Sequence, residues 1–261
     1  MTSARWRIFG AEDPQVLAGG HSHVASMLAA IHEGRGPSRL RGAVAYAADA
    51  RAGAPRDAAF GDGDYWDLLV EAGAGRTVAL AWNGNQHNAN FLVAAQPPFR
   101  VYDPLDSASD ALEGVWVAEE ALREYWEPTF SELGGLLERL GEVARVVVLG
   151  TPPPKPQSLV RNLLRNESLF VNQARALGMD AARLEVTPEP VRLALWRIVQ
   201  TMLGEYASNA GAEFLAVPES AIANDGLLLM RYSIMDVTHA NAAFGALMWS
   251  SLEQMLIGED R

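Results

Sequence analysis

Ser22 is the residue of this sequence whose surroundings are most suggestive of a nucleophile. It lies among two glycines and two histidines at positions 19–23, between an apolar run that begins at Val16 and an amphipathic segment that continues to Ile31. A serine at such a strand-to-helix junction places its hydroxyl at the carboxyl edge of the sheet, beside helix N-terminal amides. Serine is also a common helix N-cap, so a catalytic role requires a base elsewhere in the chain.

The segment DVTHAN, which starts at Asp236, supplies a candidate base. Asp236 and His239 lie three residues apart, immediately before an apolar segment at the end of the chain. Within one turn, the carboxylate can orient the imidazole while the opposite ring nitrogen faces Ser22. The chain has no cysteine, so thiolate catalysis, disulfides and cysteine-bound zinc are excluded.

Acyl transfer also requires hydrogen-bond donors aimed at the developing oxyanion. Asn85 follows the apolar run 77–82 in the stretch NGNQHN, so its side-chain amide can reach the same sheet edge as Ser22. A backbone donor is expected in the stretch AFGDG, from either Gly61 or Gly63. Four separate pieces of sequence are therefore expected to converge on one edge.

In chain order, these four pieces resemble the SGNH hydrolase superfamily, the GDSL-like esterases and lipases. The resemblance implies that Ser22, Asp236 and His239 are catalytic and that Gly61 and Asn85 form the oxyanion hole. It further implies an esterase that cleaves an O-acyl ester through an acyl-enzyme, with no cofactor and no metal. The implied partner is a small-molecule or glycan-linked acyl ester.

Two positions depart from the family pattern. His21 stands where an aspartate usually precedes the nucleophile, and Gln86 replaces the aspartate that usually follows Asn85. These departures keep open a noncatalytic binding protein with a degenerate SGNH site. An acyltransferase of the same fold is a further alternative, because an alcohol can replace water as the acyl acceptor.

A metal-dependent hydrolase is another alternative, because His21 and His23 form a His-x-His pair similar to the amidohydrolase metal motif. Asp236 with His87 or His239 would complete the ligand set. Against this alternative, amidohydrolases form eight-stranded barrels, and fewer strands are expected here. His21 and His23 are also interpretable as turn residues or as supports of Ser22, and His87 as a loop histidine.

The elements that position these residues alternate along the chain. Short apolar runs at 16–19, 77–82, 146–150 and 213–217 are separated by segments of helical period. This alternation predicts an α/β fold, a three-layer α/β/α sandwich with a central parallel sheet, which is SGNH hydrolase-like and flavodoxin-like. The predicted helices cover 24–32, 65–72, 117–140, 191–211 and 241–257.

One domain is expected over residues 1–261, with loop insertions near 96–114 and 152–188 that shape a substrate site. The formal net charge of -11 opposes nucleic acid and anionic lipid as partners. No apolar run of membrane-spanning length and no secretory signal are evident, so a cytoplasmic protein without membrane insertion is expected. The oligomeric state and the acyl chain have no signature in the sequence.

Overall fold

The computed structural model describes residues 6–47, 63–83, 86–105, 108, 111–176, 178–180 and 183–258. The strands in chain order are β1 (Trp6–Gly10), β2 (Val16–Gly20), β3 (Gly42–Ala47), β4 (Thr77–Ala81), β5 (Phe99–Val101), β6 (Val115–Val117), β7 (Arg145–Leu149) and β8 (Glu213–Leu215). The helices are α1 (Ala25–His32), α2 (Gly63–Gly73), α3 (Gln86–Ala89), α4 (Glu119–Gly141), α5 (Gln157–Leu164), α6 (Ser168–Ala176), α7 (Glu189–Asn209) and α8 (Ala242–Gly258).

Six of these strands form one sheet in the order β1-β3-β2-β4-β7-β8. The strands from β3 to β8 in this order are mutually parallel, whereas β1 pairs with β3 in the antiparallel direction at the edge. Counted by themselves in chain order, the five parallel strands lie in the order 2-1-3-4-5. This is the flavodoxin-like order, in which ligands bind where the chain reverses its direction of travel across the sheet. Here that point lies between β2 and β4.

Helices cover the sheet on both faces. Helix α1 packs against β3 and α8, while α4 packs against β7, α2 and α7. Every residue of β2 and β3 is buried, as expected for central parallel strands whose two faces are both covered. The predicted three-layer α/β/α sandwich is therefore confirmed.

The predicted runs 16–19, 77–82 and 146–150 correspond to β2, β4 and β7, with ends that differ by one residue. The predicted run 213–217 is shorter in the structure, because β8 ends at Leu215. Strands β1 and β3 were not predicted. The alternation of exposed and buried residues is irregular in β1, and β3 contains three alanines, which are depleted in strands generally.

The two long connections contain secondary structure that the sequence analysis did not predict. The segment near 96–114 includes β5, which pairs with β6, and the segment 152–188 includes α5 and α6. A second hydrophobic cluster holds this region together, and it includes Val160, Phe170 and Val186. Val237 belongs to the same cluster, so the 152–188 segment packs directly against the DVTHAN stretch. The single-domain assignment stays a prediction.

In the described part of the chain, no helix is both long enough and apolar enough to cross a bilayer.

Candidate active site

Ser22 lies directly beyond the carboxyl end of β2, at the reversal point between β2 and β4. Gly20 ends the strand with a positive φ of 134°, and a Cβ there would lie 2.1 Å from the carbonyl oxygen of Ala81. Only glycine permits this close approach of the two strands. The His21 amide then donates to the Ala81 carbonyl oxygen at 2.8 Å, and Ser22 begins a short 3-10 helix. Ser22 is buried, with 4% of its surface exposed.

His239 joins Ser22 to Asp236. Its Nε2 atom lies 2.9 Å from Ser22 Oγ, and its Nδ1 atom lies 2.7 Å from Asp236 Oδ2. A carboxylate only accepts hydrogen bonds, so Nδ1 carries the ring proton and Nε2 presents a lone pair to the serine hydroxyl. The hydroxyl of Ser22 is thus bonded to His239 instead of capping a helix. The structure brings together the three residues that the sequence predicted as catalytic.

Asp236 is held in place by its second oxygen. Oδ1 accepts hydrogen bonds from the backbone amides of Thr238 at 2.9 Å and His239 at 2.7 Å, and from Lys155 Nζ at 3.0 Å. Burial by itself would raise the pKa of Asp236. The hydrogen bond from His239, the electrostatic interaction with His239 and the charge of Lys155 outweigh burial, so the pKa of Asp236 lies well below its usual range. The carboxylate is therefore ionised at neutral pH.

Lys155 and Asn241 support the site, and the sequence analysis did not single out either residue. Lys155 reaches the DVTHAN stretch from the proline-rich turn after β7, with 1% of its side chain exposed. Asn241 Oδ1 accepts from the amides of Ala243 at 2.9 Å and Phe244 at 3.2 Å, which caps α8. A signal for Asn241 was its place before an apolar helix, and a signal for Lys155 was its being the only lysine.

His21 and His23 point to different neighbours. The His21 ring makes T-shaped contacts with the rings of Trp66 and Trp82, with centroid distances of 5.2 and 4.8 Å. His21 Nδ1 accepts a hydrogen bond from the Asn83 amide at 3.0 Å, which holds the start of the NGNQHN stretch. The ring of His23 instead lies 5.3 Å from the ring of His239. The two histidines therefore do not face a shared ligand position.

The imidazole of His23 is neutral. Burial, followed by the nearby His239 and His87, lowers its pKa well below the ordinary value. Within the described part of the chain, neither ring nitrogen of His23 has a hydrogen-bond partner. The described residues also contain no group of three or more His, Asp or Glu side chains suited to a metal ion.

The remaining predicted residues are Gly61, Gly63, Asn85, Gln86 and His87. Gly61 and Asn85, the predicted oxyanion donors, fall outside the described residues, and the alternative Gly63 begins α2. Gln86 begins α3, and among the described residues its buried side-chain amide has no hydrogen-bond partner. His87 was interpreted as a loop histidine, but it is buried in α3, with Nε2 3.0 Å from Asn88 Nδ2.

A groove of about 920 Å³ lies between the two long connections. One wall comes from residues 94–98 and the other from α5 and the segment that precedes α7. Arg161, Arg165 and Arg183 line it, together with Gln157, which lies two residues beyond Lys155. That these connections shape a substrate site stays a prediction.

No protein-family model and no curated protein matches this chain. Solved structures with a similar fold include a GDSL-like lipase from Bacteroides thetaiotaomicron VPI-5482, with a TM-score of 0.46, 10% identity, and coverage of 95% of this chain and 90% of that chain. An extracellular lipase from Streptomyces rimosus has a TM-score of 0.45, 13% identity and coverage of 92% and 98%. The periplasmic domain of a Salmonella ser. Paratyphi A lipopolysaccharide acetyltransferase has a TM-score of 0.45, 10% identity and coverage of 94% and 84%.

The strand order, the position of Ser22 after β2 and the position of His239 before α8 agree with the SGNH hydrolase-like fold that the sequence predicted. The fold is assigned from the sheet topology of this chain. What the site can do follows from its own contacts.

Proposed function

We propose that this protein is a serine esterase that cleaves an O-acyl ester through an acyl-enzyme on Ser22. The observation that supports it best is the pair of hydrogen bonds through His239, to Ser22 Oγ at 2.9 Å and to Asp236 Oδ2 at 2.7 Å. Nucleophile, base and orienting carboxylate are thereby in mutual reach, which is the geometry that activates a serine hydroxyl.

The first half of the reaction forms the acyl-enzyme. Ser22 Oγ attacks the carbonyl carbon of the ester while its proton passes to His239 Nε2. The tetrahedral intermediate collapses, the bond from the carbonyl carbon to the alcohol oxygen breaks, and His239 returns the proton to the leaving alcohol. Asp236 stays ionised and stabilises the imidazolium that forms between these two steps.

The second half regenerates the serine. A water molecule loses a proton to His239 and attacks the acyl carbonyl carbon, and the bond to Ser22 Oγ breaks as the proton is returned to the serine. The acid is released and no cofactor is consumed. The proposed substrate is a small-molecule or glycan-linked acyl ester.

The oxyanion donors assigned to this mechanism are the side-chain amide of Asn85 and the backbone amides of Gly61 and Ser22. Each well-aimed donor contributes about 3 kcal/mol of transition-state stabilisation. The hydrogen bond from the Asn83 amide to His21 Nδ1 supports the assignment of Asn85, because it anchors the backbone two residues earlier.

Fluorophosphonate labelling tests this proposal directly. The wild-type protein is expected to gain one covalent adduct on Ser22, read by intact mass and peptide mapping, and to hydrolyse p-nitrophenyl acetate. Ser22→Ala should lose both properties. Ser26→Ala is the matched control, because Ser26 is a buried serine of the next helix whose hydroxyl donates to the His23 carbonyl oxygen. Absence of labelling in folded wild-type protein would reject the esterase and favour a binding protein.

A further inference from the structure

Lys155 is the only lysine of the chain, which also has 20 arginines. This one ammonium lies beneath the DVTHAN stretch, with 1% of its side chain exposed. An unpaired cation in such a place is costly, so its contacts must compensate for the lost hydration. The contacts of Lys155 must therefore explain how its ammonium group is stabilised in this buried position.

Three oxygen atoms surround Lys155 Nζ: the carbonyl oxygen of Ile234 at 2.9 Å, the carbonyl oxygen of Asp236 at 2.8 Å and Asp236 Oδ1 at 3.0 Å. An ammonium group has three N–H donors and no acceptor, so it satisfies all three oxygens. A neutral amine has only two N–H groups, and its lone pair would face an oxygen. Although burial lowers the pKa of Lys155, the charge of Asp236 opposes this shift, and the geometry fits the ammonium form.

The two oxygens of Asp236 have separate tasks. Oδ2 faces the ring of His239, whereas Oδ1 accepts from Lys155 and from two backbone amides. We propose that Lys155 is a positioning residue of the Ser22 site, whose ammonium fixes the rotation of the Asp236 carboxylate and the backbone that carries it. This proposal rests on the esterase proposed above, since it assigns Lys155 a part in orienting His239.

The backbone around Lys155 is suited to hold the ammonium in place. Lys155 lies between Pro154 and Pro156, whose rings restrict the chain, and its carbonyl oxygen accepts from Arg192 Nη1 at 2.9 Å. Arg192 is fully buried, and burial lowers its pKa to about 10. The compact ammonium of lysine suits three converging oxygens, whereas the planar guanidinium of arginine does not.

The charge of Lys155 also has a predictable electrostatic effect. Apart from Asp236, Glu167 acts on the charge of Lys155, and Arg192 donates a hydrogen bond to the Lys155 carbonyl oxygen. On the other side of Asp236, His239 faces Ser22 and the neutral ring of His23. A fixed positive charge behind Asp236 opposes protonation of His239. Without that charge, His239 should be protonated more easily. As the solution is acidified, kcat/KM should therefore begin to fall at a higher pH than in the wild type.

Lys155→Met removes the ammonium and keeps an unbranched side chain of similar length. We expect kcat for p-nitrophenyl acetate to fall about 10- to 100-fold, with KM nearly unchanged. Losses of this size are typical when a residue that orients a reacting group is removed. The acid limb of the kcat/KM profile should move to higher pH. Arg192→Met is the matched control, because it removes a buried cation that holds the same turn without contacting Asp236. An acid limb that stays in place in Lys155→Met, or moves equally in Arg192→Met, would overturn the proposal.

A second measurement needs neither activity nor a folded Lys155 variant. Protein labelled with 15N at the lysine side-chain nitrogen gives one Nζ signal, because the chain has one lysine. The signal should be that of an ammonium protected from solvent exchange, and Asp236→Asn should shift it, whereas the exposed control Asp13→Asn should not. A rapidly exchanging signal that is insensitive to Asp236→Asn would refute the assignment. Because fluorophosphonate labelling separately tests Ser22, failure of the esterase proposal and failure of this one are distinguishable.

Discussion

Gly245 of α8 lies directly against the backbone of Ser26 in α1: a Cβ on Gly245 would be 2.0 Å from the Ser26 carbonyl oxygen. Helix α1 follows Ser22 and helix α8 follows His239. The close approach of these two helices therefore helps to set the distance between the serine and the imidazole. The contact between Gly245 and Ser26 is thus part of the packing that positions Ser22 and His239.

Gly245→Ala should damage both stability and catalysis, because its methyl group would meet backbone atoms that cannot rotate away. We expect the free energy of unfolding to fall by about 2 to 3 kcal/mol. A displacement of His239 by about 1 Å should lower kcat about a hundredfold. Urea titration and p-nitrophenyl acetate kinetics measure the two effects.

Gly135→Ala is the control for this substitution. Gly135 is an exposed residue inside α4, and a Cβ there would have no neighbour within 4 Å. Replacing a helical glycine by alanine in open space should stabilise the protein by up to about 1 kcal/mol. Similar behaviour of the two variants would contradict a packing role for Gly245.

Asp236→Asn should change how stability depends on pH. The pKa of Asp236 is lowered in the folded protein, so the ionised carboxylate stabilises the fold above the unfolded pKa of about 3.9. That stabilisation is lost as the pH falls through the folded pKa. The stability advantage of the wild type over Asp236→Asn should therefore shrink below about pH 4, as measured by urea unfolding from pH 7 to pH 3. Asp13→Asn, at an exposed position, should show no such trend.

Asn85→Ala tests the oxyanion assignment. A donor that acts only on the developing oxyanion should leave KM nearly unchanged while kcat falls by about a hundredfold or more. Single-turnover kinetics should show slower acylation of Ser22. Asn162→Ala serves as a control, because Asn162 is an exposed residue of α5. Acylation at the wild-type rate in Asn85→Ala would show that the NGNQHN stretch is only a turn.

His21→Phe tests whether His21 acts by holding the NGNQHN stretch and not by binding a metal ion. The variant keeps an aromatic ring beside Trp66 and Trp82 but removes the acceptor for the Asn83 amide. We expect a stability loss of about 1 to 3 kcal/mol, together with a lower kcat. His32→Phe, at an exposed position, should change neither.

Chelation tests the metal-dependent alternative. Because His21 and His23 face different neighbours, prolonged treatment with EDTA and 1,10-phenanthroline should leave the esterase rate unchanged. The measurement is the p-nitrophenyl acetate rate before and after dialysis, with zinc then added back. Inactivation that zinc reverses would replace the serine mechanism with a metal-dependent one.

The sequence alone predicted strands β2, β4 and β7 and the three side chains that meet at Ser22. Strands β2, β4 and β7 were recognisable because strands buried on both faces consist of short apolar runs. Ser22 was identifiable from its position after such a run, and the pair Asp236 and His239 from its spacing before an apolar helix. These are local patterns, and local patterns are what a single sequence displays.

Only the tertiary structure decided the long-range contacts. Ser22 and His239 are 217 positions apart in the chain, and their hydrogen bond depends on the packing of α1 against α8. Lys155 was recognisable as a lone lysine, but its contact with Asp236 arises from the turn after β7, 81 positions away. Strand β3 is paired with both β1 and β2, and this pairing overrides the weak strand preference of its alanines. Sequence patterns specify which face of an element is buried, whereas the partner it is buried against is determined by the packing of the whole chain.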